Sequence, residues 1–188
     1  MELILASASP RRQELLRAAG IPFSVQPANV HEAPNPGESP QGYSQRLARD
    51  KALTVWSGIS RREETYVLGA DTIVVVDEHI LEKPTDADHA AHMLRMISGR
   101  PHQVITSVCL LGDGFEEIRS EVTTVFVNKI TDQEIAEYVA TGEPMDKAGA
   151  YAIQGVASRW IPRIEGDYSN VVGLPISLVY QMLKSHGA

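Results

Sequence analysis

Residues 66–76 read YVLGADTIVVV, an apolar run rich in β-branched residues that is interrupted by a single aspartate. Such a run predicts a buried β-strand. Helical patterns flank it: Ser39-Pro40 reads as an N-cap followed by proline before the strand, and Thr85 with Asp88 resembles a capping box after it. This alternation of strand and helix predicts an α/β fold in which helices cover a sheet.

The rest of the chain continues the alternation. Two of the predicted strand pairs are hairpins, so the sheet should be mixed rather than wholly parallel. Capping signals are clearest at Ser9-Pro10 and at Thr131 with Glu134. The further strands are predicted at 3–7, 23–26, 79–82, 103–111, 116–127 and 161–164, and the helices at 9–20, 39–57, 85–99, 131–142 and from 175 onward.

Length and charge restrict the class of protein. The 188 residues predict one domain, 1–188, formed of two lobes. The net charge of −7 argues against a protein that coats nucleic acid, which needs a basic face. No apolar run approaches the roughly 20 residues of a membrane helix, and no signal peptide is evident. With Cys109 as the single cysteine, no internal disulfide is possible. We therefore expect a cytoplasmic protein without nucleic-acid or membrane partners.

Residues 7–12, SASPRR, follow a predicted strand and open a predicted helix. A helix N-terminus offers unpaired N–H groups and a partial positive charge, and it binds anions readily. Two hydroxyls with Arg11 and Arg12 at this point would suit a triphosphate. A capped surface helix carrying two solvated arginines explains the pattern equally well.

Asp71 interrupts the predicted buried strand. An unpaired carboxylate is very costly in an apolar setting, so it must be paired, metal-bound or at the mouth of the strand. The small residues Gly69 and Ala70 before it would let a ligand approach. A metal ligand or general base is the favoured interpretation. The alternative is an edge-facing aspartate bonded to a neighbouring loop.

Three further candidates are weaker. Lys51 lies within the apolar stripe of its helix, so it either snorkels to solvent or reaches an anion. Lys83, in the sequence Glu82-Lys83-Pro84, lies where a hairpin meets a helix cap, although a surface ion pair would explain it too. Residues 146–155 are rich in glycine and alanine, so they would either approach a flat ligand read by Gln154 or form a packing seam. The histidines show no metal-ligand spacing.

Taken together, six blocks of the sequence resemble the Maf family of nucleotide pyrophosphatases. They occur in the expected order, and the resemblance extends from about residue 3 to residue 183. The blocks are LASASPRR at 5–12, RLARDKA at 46–52, LGADTIV at 68–74, EKP at 82–84, GEPMDKAGAY at 142–151 and IEGDYSNVVGLP at 164–175.

This resemblance implies a mixed, twisted α/β fold with two lobes around a cleft, related to the inosine-triphosphate pyrophosphatases and often a homodimer. It implies cleavage between the α- and β-phosphates, with Asp71 as the proton acceptor for the attacking water. A divalent cation (Mg²⁺, Mn²⁺ or Co²⁺) would be held with the help of Glu32 and Asp71. The implied substrate-binding residues are Ser7, Arg11, Arg12, Lys51 and Lys83.

The resemblance also narrows the substrate. Family members that prefer dTTP and UTP carry the residues found here at Arg11, Thr72 and Gln154, whereas a subgroup acting on 7-methyl-GTP carries tryptophan at the first of these positions. The expected activity is hydrolysis of dTTP and UTP to the monophosphate and diphosphate, which would clean the nucleotide pool. The alternatives are a non-catalytic nucleotide-binding regulator of septum formation or cell division, the same chemistry on another base, and a phosphatase that releases orthophosphate.

Overall fold

The computed structural model describes residues 2–60 and 62–187 and shows a mixed α/β fold, as the sequence predicts. Six α-helices and seven strands alternate along these described residues. The strands are β1 (Glu2–Leu5), β2 (Ser24–Val25), β3 (Thr65–Val76), β4 (His79–Leu81), β5 (Pro101–Gly112), β6 (Phe115–Phe126) and β7 (Arg163–Glu165). The helices are α1 (Pro10–Ala18), α2 (Pro40–Trp56), α3 (Ala87–Ile97), α4 (Asp132–Ala140), α5 (Tyr168–Val172) and α6 (Ile176–Ser185).

The seven strands form one sheet in the order β2-β1-β3-β5-β6-β7, with β4 paired to β3. Strand β1 pairs in parallel with both β2 and β3. Strands β4 and β7 pair in antiparallel fashion with β3 and β6, respectively. The sheet is therefore mixed, as the two predicted hairpins require. The register places Leu5 of β1 opposite Leu68 of β3, three residues before Asp71.

The chain divides into two compact units. Unit 1 comprises Met1–Thr72, Thr106–Glu121 and Gly173–Ala188, and unit 2 comprises Ile73–Ile105 and Val122–Val172. Each unit has its own buried apolar clusters. In unit 1 these include Leu5, Leu68 and Leu110, and in unit 2 they include Leu94 and Tyr138. The predicted cleft between two lobes stays a prediction.

Most predicted helix starts are confirmed at the level of single hydrogen bonds. The hydroxyls of Ser9 and Ser39 accept from backbone N–H groups at the starts of α1 and α2, and Thr131 with Glu134 forms the complete capping box of α4. The predicted cap of α3 is wrong by one residue. Asp86, rather than Thr85, caps this helix, because its carboxylate accepts the N–H of His89 at 2.8 Å. A charged acceptor at that position binds the orphan donor more strongly than a hydroxyl does.

The glycine- and alanine-rich stretch forms no α-helix. Residues 146–155 contain one short 3₁₀ turn, Ala148–Ala150, and two further 3₁₀ turns border the stretch at Glu143–Asp146 and Val156–Trp160. At Gly149, φ is +70° and an added Cβ would lie 2.8 Å from the side chain of Val74. Only glycine combines that backbone conformation with so close an approach. The short helix α5 has no counterpart among the sequence predictions.

Candidate active site

Asp71 lies in β3 with its carboxylate buried among polar partners. Its side chain is 9% exposed, and its Oδ1 accepts a hydrogen bond from Lys51 Nζ at 2.8 Å. The hydroxyl of Ser44 donates to the Asp71 carbonyl at 3.1 Å, which fixes the backbone beneath the carboxylate. The second oxygen, Oδ2, is buried and has no hydrogen-bond partner within the described residues. Because a buried carboxylate oxygen normally has a partner, Oδ2 indicates a ligand-binding position.

Lys51 joins two carboxylates. Its ammonium lies 2.7 Å from Glu32 Oε1 as well as 2.8 Å from Asp71 Oδ1. The Lys51 side chain is 11% exposed and that of Glu32 is 45% exposed. A buried ammonium is stable only when it is paired, and here two anions share the pairing. The Lys51 ammonium therefore does not snorkel to solvent but lies between two carboxylates of the protein, and its predicted contact with a bound anion stays a prediction.

Gly69 allows α2 to approach β3 closely enough for this contact. An added Cβ at Gly69 would lie 2.1 Å from the Ala48 carbonyl oxygen and 2.8 Å from the Ala52 N. Ala48 and Ala52 are themselves fully buried and flank Lys51 on the helix. The small residues of the LGAD and RLARDKA blocks thus pack directly on one another. The backbone approach at Gly69 sets how far the Lys51 side chain must reach to meet Asp71.

Arg12 is buried at the start of α1, where it donates four hydrogen bonds within unit 1. Its Nε donates to the Gly173 carbonyl (2.8 Å). Its Nη1 donates to the Ser7 hydroxyl (3.0 Å) and the Ala70 carbonyl (2.9 Å). Its Nη2 donates to the Thr72 hydroxyl (3.1 Å). A guanidinium has five N–H groups, so these bonds leave one for any phosphate.

Burial of the Arg12 guanidinium lowers its pKa, and the neighbouring positive charge of Arg11 acts in the same direction. The carboxylates of Asp71 and Glu32 partly offset this by stabilising the charged form. Arg12 and the carboxylate pair therefore lie within electrostatic reach of each other. Arg11 is only half-buried and remains accessible from solvent, which suits the predicted contact with an anion.

Thr72 follows Asp71 in β3 and carries a fully engaged hydroxyl. Its Oγ1 lies 2.9 Å from Thr106 Oγ1, donates to the Gly173 carbonyl at 3.3 Å and accepts from Arg12. Ser7 is also buried, and it accepts from Arg12 and from the Ser9 N–H (3.3 Å). The predicted residues Ser7, Arg12 and Thr72 thus form one hydrogen-bonded group. The specificity role predicted for Thr72 stays a prediction.

Lys83 and Gln154 belong to unit 2, and both side chains are exposed. The backbone at Glu82 accepts a hydrogen bond from the Gly149 N–H at 3.2 Å, so the Glu82-Lys83-Pro84 block lies against the glycine- and alanine-rich stretch. Two of the blocks singled out in the sequence therefore meet. The roles predicted for Lys83 and Gln154 stay predictions.

Several residues of the site carry no signal in the sequence. Ser44, Thr106 and Gly173 contact Asp71, Thr72 and Arg12 through single hydroxyls or carbonyls. The helical repeat could have indicated only Ser44, because this residue precedes Lys51 by seven positions and so lies on the same face of α2. Thr106 and Gly173 are distant in sequence, and only the tertiary structure brings them here.

The arrangement suits hydrolytic chemistry on an anion. A buried carboxylate with one oxygen held by Lys51 and the other without a hydrogen-bond partner among the described residues is suited to accept a proton from water or to bind a cation. Glu32 and Asp71 fit a hard divalent cation, which takes one or two carboxylates and completes its ligands with water and phosphate oxygens. Residues 2–60 and 62–187 contain no group of three or more metal-ligating side chains, so substrate oxygens would have to complete the set.

A comparison with protein families matches residues 2–186 to the model described as "Maf-like protein". The chain belongs to the Maf-like family. The match covers every block quoted above, including the segments that supply Asp71, Lys51 and Arg12. The family resemblance seen in the sequence is thereby confirmed over nearly the whole chain.

Curated relatives of this Maf-like chain are similar over their full length. A protein of Koribacter versatilis (strain Ellin345) named "dTTP/UTP pyrophosphatase" is 58% identical, covering 100% of this chain and 95% of that protein. A protein of Geobacter metallireducens with the same name is 50% identical, covering 99% and 96%. Among solved structures, the Staphylococcus aureus Ham1 protein covers 99% of this Maf-like chain at 10% identity with a TM-score of 0.50. That likeness concerns the fold alone.

Of the helices in the described part of this Maf-like chain, none has the length and apolar character that crossing a bilayer requires.

Proposed function

We propose that this chain hydrolyses dTTP and UTP to the corresponding monophosphate and diphosphate, and so removes these or modified pyrimidine nucleotides from the nucleotide pool. Relatives at 50–58% identity that carry the name dTTP/UTP pyrophosphatase support this substrate class. The observation that carries the chemistry is the carboxylate of Asp71, whose Oδ1 is held by Lys51 while the buried Oδ2 accepts no hydrogen bond from the described residues.

In this proposal Asp71 is the general base. Its Oδ2 accepts a proton from the water that attacks the α-phosphorus, and the bond to the bridging oxygen breaks to release diphosphate. Lys51 orients the Asp71 carboxylate, because the ammonium is a direct partner of Oδ1. Catalysis of this kind depends mainly on positioning and on neutralising charge.

Phosphate binding in unit 1 is assigned to groups at the start of α1. Arg11 is half-buried and its guanidinium can bind two phosphate oxygens at once. Ser7 is buried beside it, and its hydroxyl already accepts from Arg12. Arg12 would contribute at most its one remaining N–H, so we assign it mainly to holding Ser7 and Thr72 in place.

A divalent cation would be held by Glu32 and Asp71 together with phosphate oxygens. It would supply positive charge against the triphosphate and the leaving diphosphate. The two carboxylates do not select among Mg²⁺, Mn²⁺ and Co²⁺, because all three ions accept oxygen ligands. Lys51 lies between the two carboxylates and keeps them from repelling each other before substrate arrives.

The test is a nucleotide panel (dTTP, UTP, CTP, GTP, 7-methyl-GTP) with each metal, in which the released phosphate species is identified. We expect diphosphate from dTTP and UTP. Orthophosphate release, or nucleotide binding without turnover, would refute the proposal in favour of a phosphatase or a non-catalytic regulator.

Asp71→Asn should lower turnover by roughly 100-fold to 10,000-fold, the usual contribution of a general base. Near-normal diphosphate release by that variant would remove Asp71 from the mechanism.

A further inference from the structure

Glu32 lies in the irregular segment between β2 and α2, yet its carboxylate meets Lys51 at 2.7 Å. The Glu32 side chain is 45% exposed, so its place beside Lys51 also depends on the backbone that carries it. A loop of this kind is expected to be mobile unless its backbone is tied down. The contacts that fix this segment therefore decide whether Glu32 stays at the site.

Arg46 of α2 provides those contacts. Its Nε and Nη2 donate to the two carboxylate oxygens of Glu38 at 2.7 and 2.8 Å, which is a bidentate pair. Its Nη2 also donates to the Ala33 carbonyl at 2.8 Å. Ala33 is the residue directly after Glu32, so this bond fixes the backbone beside the Glu32 side chain.

Glu38 in turn closes the turn that leads into α2. Its Oε2 accepts the Asn35 N–H at 2.9 Å, and its own N–H donates to the Asn35 carbonyl at 3.0 Å. The hydrogen bond from Arg46 lowers the pKa of Glu38 to about 2. Glu38 therefore stays ionised at neutral and mildly acidic pH, where the pair with Arg46 is kept.

Further contacts hold the Arg46 guanidinium on the surface of α2. It lies 5.4 Å from the centre of the Tyr43 ring and 3.7 Å from Asp50 Oδ2. A guanidinium that is stacked, paired and bidentate loses little further freedom when it binds the loop. The loop is thus held against the same helix that carries Lys51.

We infer that Arg46 and Glu38 are positioning residues, which hold segment 32–38 on α2 so that Glu32 remains paired with Lys51 beside Asp71. Neither residue touches the reacting atoms in this scheme, and both act through Glu32. The effect of Arg46 and Glu38 on catalysis rests on the proposed function, because it depends on the carboxylates of Glu32 and Asp71. Their effect on Lys51 does not rest on that function, because the contact between Glu32 and Lys51 is present whatever reaction the protein catalyses.

The first experiment measures the reactivity of the Lys51 amine toward isotope-coded acetic anhydride, followed by mass spectrometry of its peptide. Loss of Glu32 from the ammonium should expose the amine to the reagent, so Glu38→Gln and Arg46→Gln should accelerate its labelling relative to the wild type. Glu32→Gln should do the same directly. Arg46→Lys, which keeps the charge but loses the bidentate geometry, should give an intermediate rate.

The decisive comparison is a double-mutant cycle. If Glu38 acts through Glu32, then Glu38→Gln should add little to the labelling rate in the Glu32→Gln background. Arg49→Gln is the matched control, because Arg49 lies on the same helix as Arg46 but pairs with Glu116 of β6, at 2.8 Å. Additive rates in the double variant, or wild-type labelling in Glu38→Gln with the thermal unfolding temperature unchanged, would overturn the inference.

The second experiment titrates Mn²⁺ alone against each variant by electron paramagnetic resonance. Glu38→Gln and Glu32→Gln should weaken Mn²⁺ binding by the same factor, and Arg49→Gln should leave it unchanged. A loss in Glu32→Gln that Glu38→Gln does not share would contradict the inference. Should the wild type bind no Mn²⁺, the metal in the proposed function fails, and the labelling cycle still decides the role of Arg46 and Glu38.

Discussion

The ammonium of Lys51 lies 2.8 Å from Oδ1 of Asp71, although the two residues belong to different elements and are twenty positions apart. Both side chains are nearly buried, at 11% and 9% exposed. Each of these two charges needs an opposite charge beside it, because a single unpaired charge at a buried position is strongly destabilising. The ion pair also leaves Oδ2 of Asp71 buried and without a hydrogen-bond partner among the described residues.

Removal of the Lys51 charge should destabilise the protein. In Lys51→Met the buried Asp71 loses its partner, and breaking a buried pair in this way costs roughly 3–5 kcal/mol. The free energy of unfolding, measured by urea denaturation, should fall accordingly. In the double variant Lys51→Met with Asp71→Asn, part of that loss should return, because no uncompensated buried charge remains. A double variant less stable than Lys51→Met would contradict the pairing.

Gly69→Ala should separate α2 from β3. The new methyl group would lie 2.1 Å from the Ala48 carbonyl, so the helix must move, and overpacking of this kind costs roughly 1–3 kcal/mol or more. We expect a lower free energy of unfolding and a loss of diphosphate release that exceeds the loss in stability, because the Lys51–Asp71 contact lengthens. Gly58→Ala is the control, since its Cβ would meet the nearest atom at an ordinary 3.6 Å. Equal behaviour of the two variants would refute the prediction.

Arg12→Lys should reveal whether Arg12 is mainly structural. Lysine cannot reach the four acceptors that Arg12 binds, so the free energy of unfolding without nucleotide should fall by roughly 3 kcal/mol. Arg17→Lys is the matched control in the same helix, because the exposed Arg17 donates to Gln13. A stable Arg12→Lys protein with a greatly raised KM for dTTP would instead make Arg12 a direct phosphate ligand.

Stability should fall on acidification because of His102. This side chain is 3% exposed, its Nε2 lies 2.7 Å from the Tyr151 hydroxyl, and burial lowers its pKa to about 4. Between about pH 6.5 and pH 4, His102 therefore carries a proton in the unfolded state but not in the folded state. The contribution of neutral His102 to the free energy of unfolding is fully present above about pH 6.5, and about 3 kcal/mol of it is lost as the pH falls to 4.

Measurement of the free energy of unfolding across that range, in the wild type and in His102→Gln, checks this prediction. The variant lacks the titrating group, so its stability should depend less steeply on pH between 6.5 and 4. Parallel pH profiles for the two proteins would exclude His102 as the cause.

The sequence predicts every strand and every α-helix except α5, with boundaries close to those of the structure. Residues 66–76 were recognisable as a strand from β-branched content, and Ser9, Ser39 and Thr131 were recognisable as caps, because these are local properties of a few adjacent residues. Recognition of Asp71 as a candidate followed from the cost of a lone carboxylate in an apolar run. The cap of α3 was misplaced by one residue, because Thr85 and Asp86 are both good caps and only the backbone geometry selects between them.

Only the tertiary structure decided which charges meet. Periodicity alone slightly favours a snorkelling Lys51 over one that reaches a bound anion, and it does not distinguish Arg12 from a solvated arginine. Three of the four acceptors of Arg12 come from residues 58 to 161 positions away, and the contact between Glu32 and Lys51 depends on a loop held by Arg46 and Glu38. Such contacts join segments distant in the chain, so no local pattern encodes them.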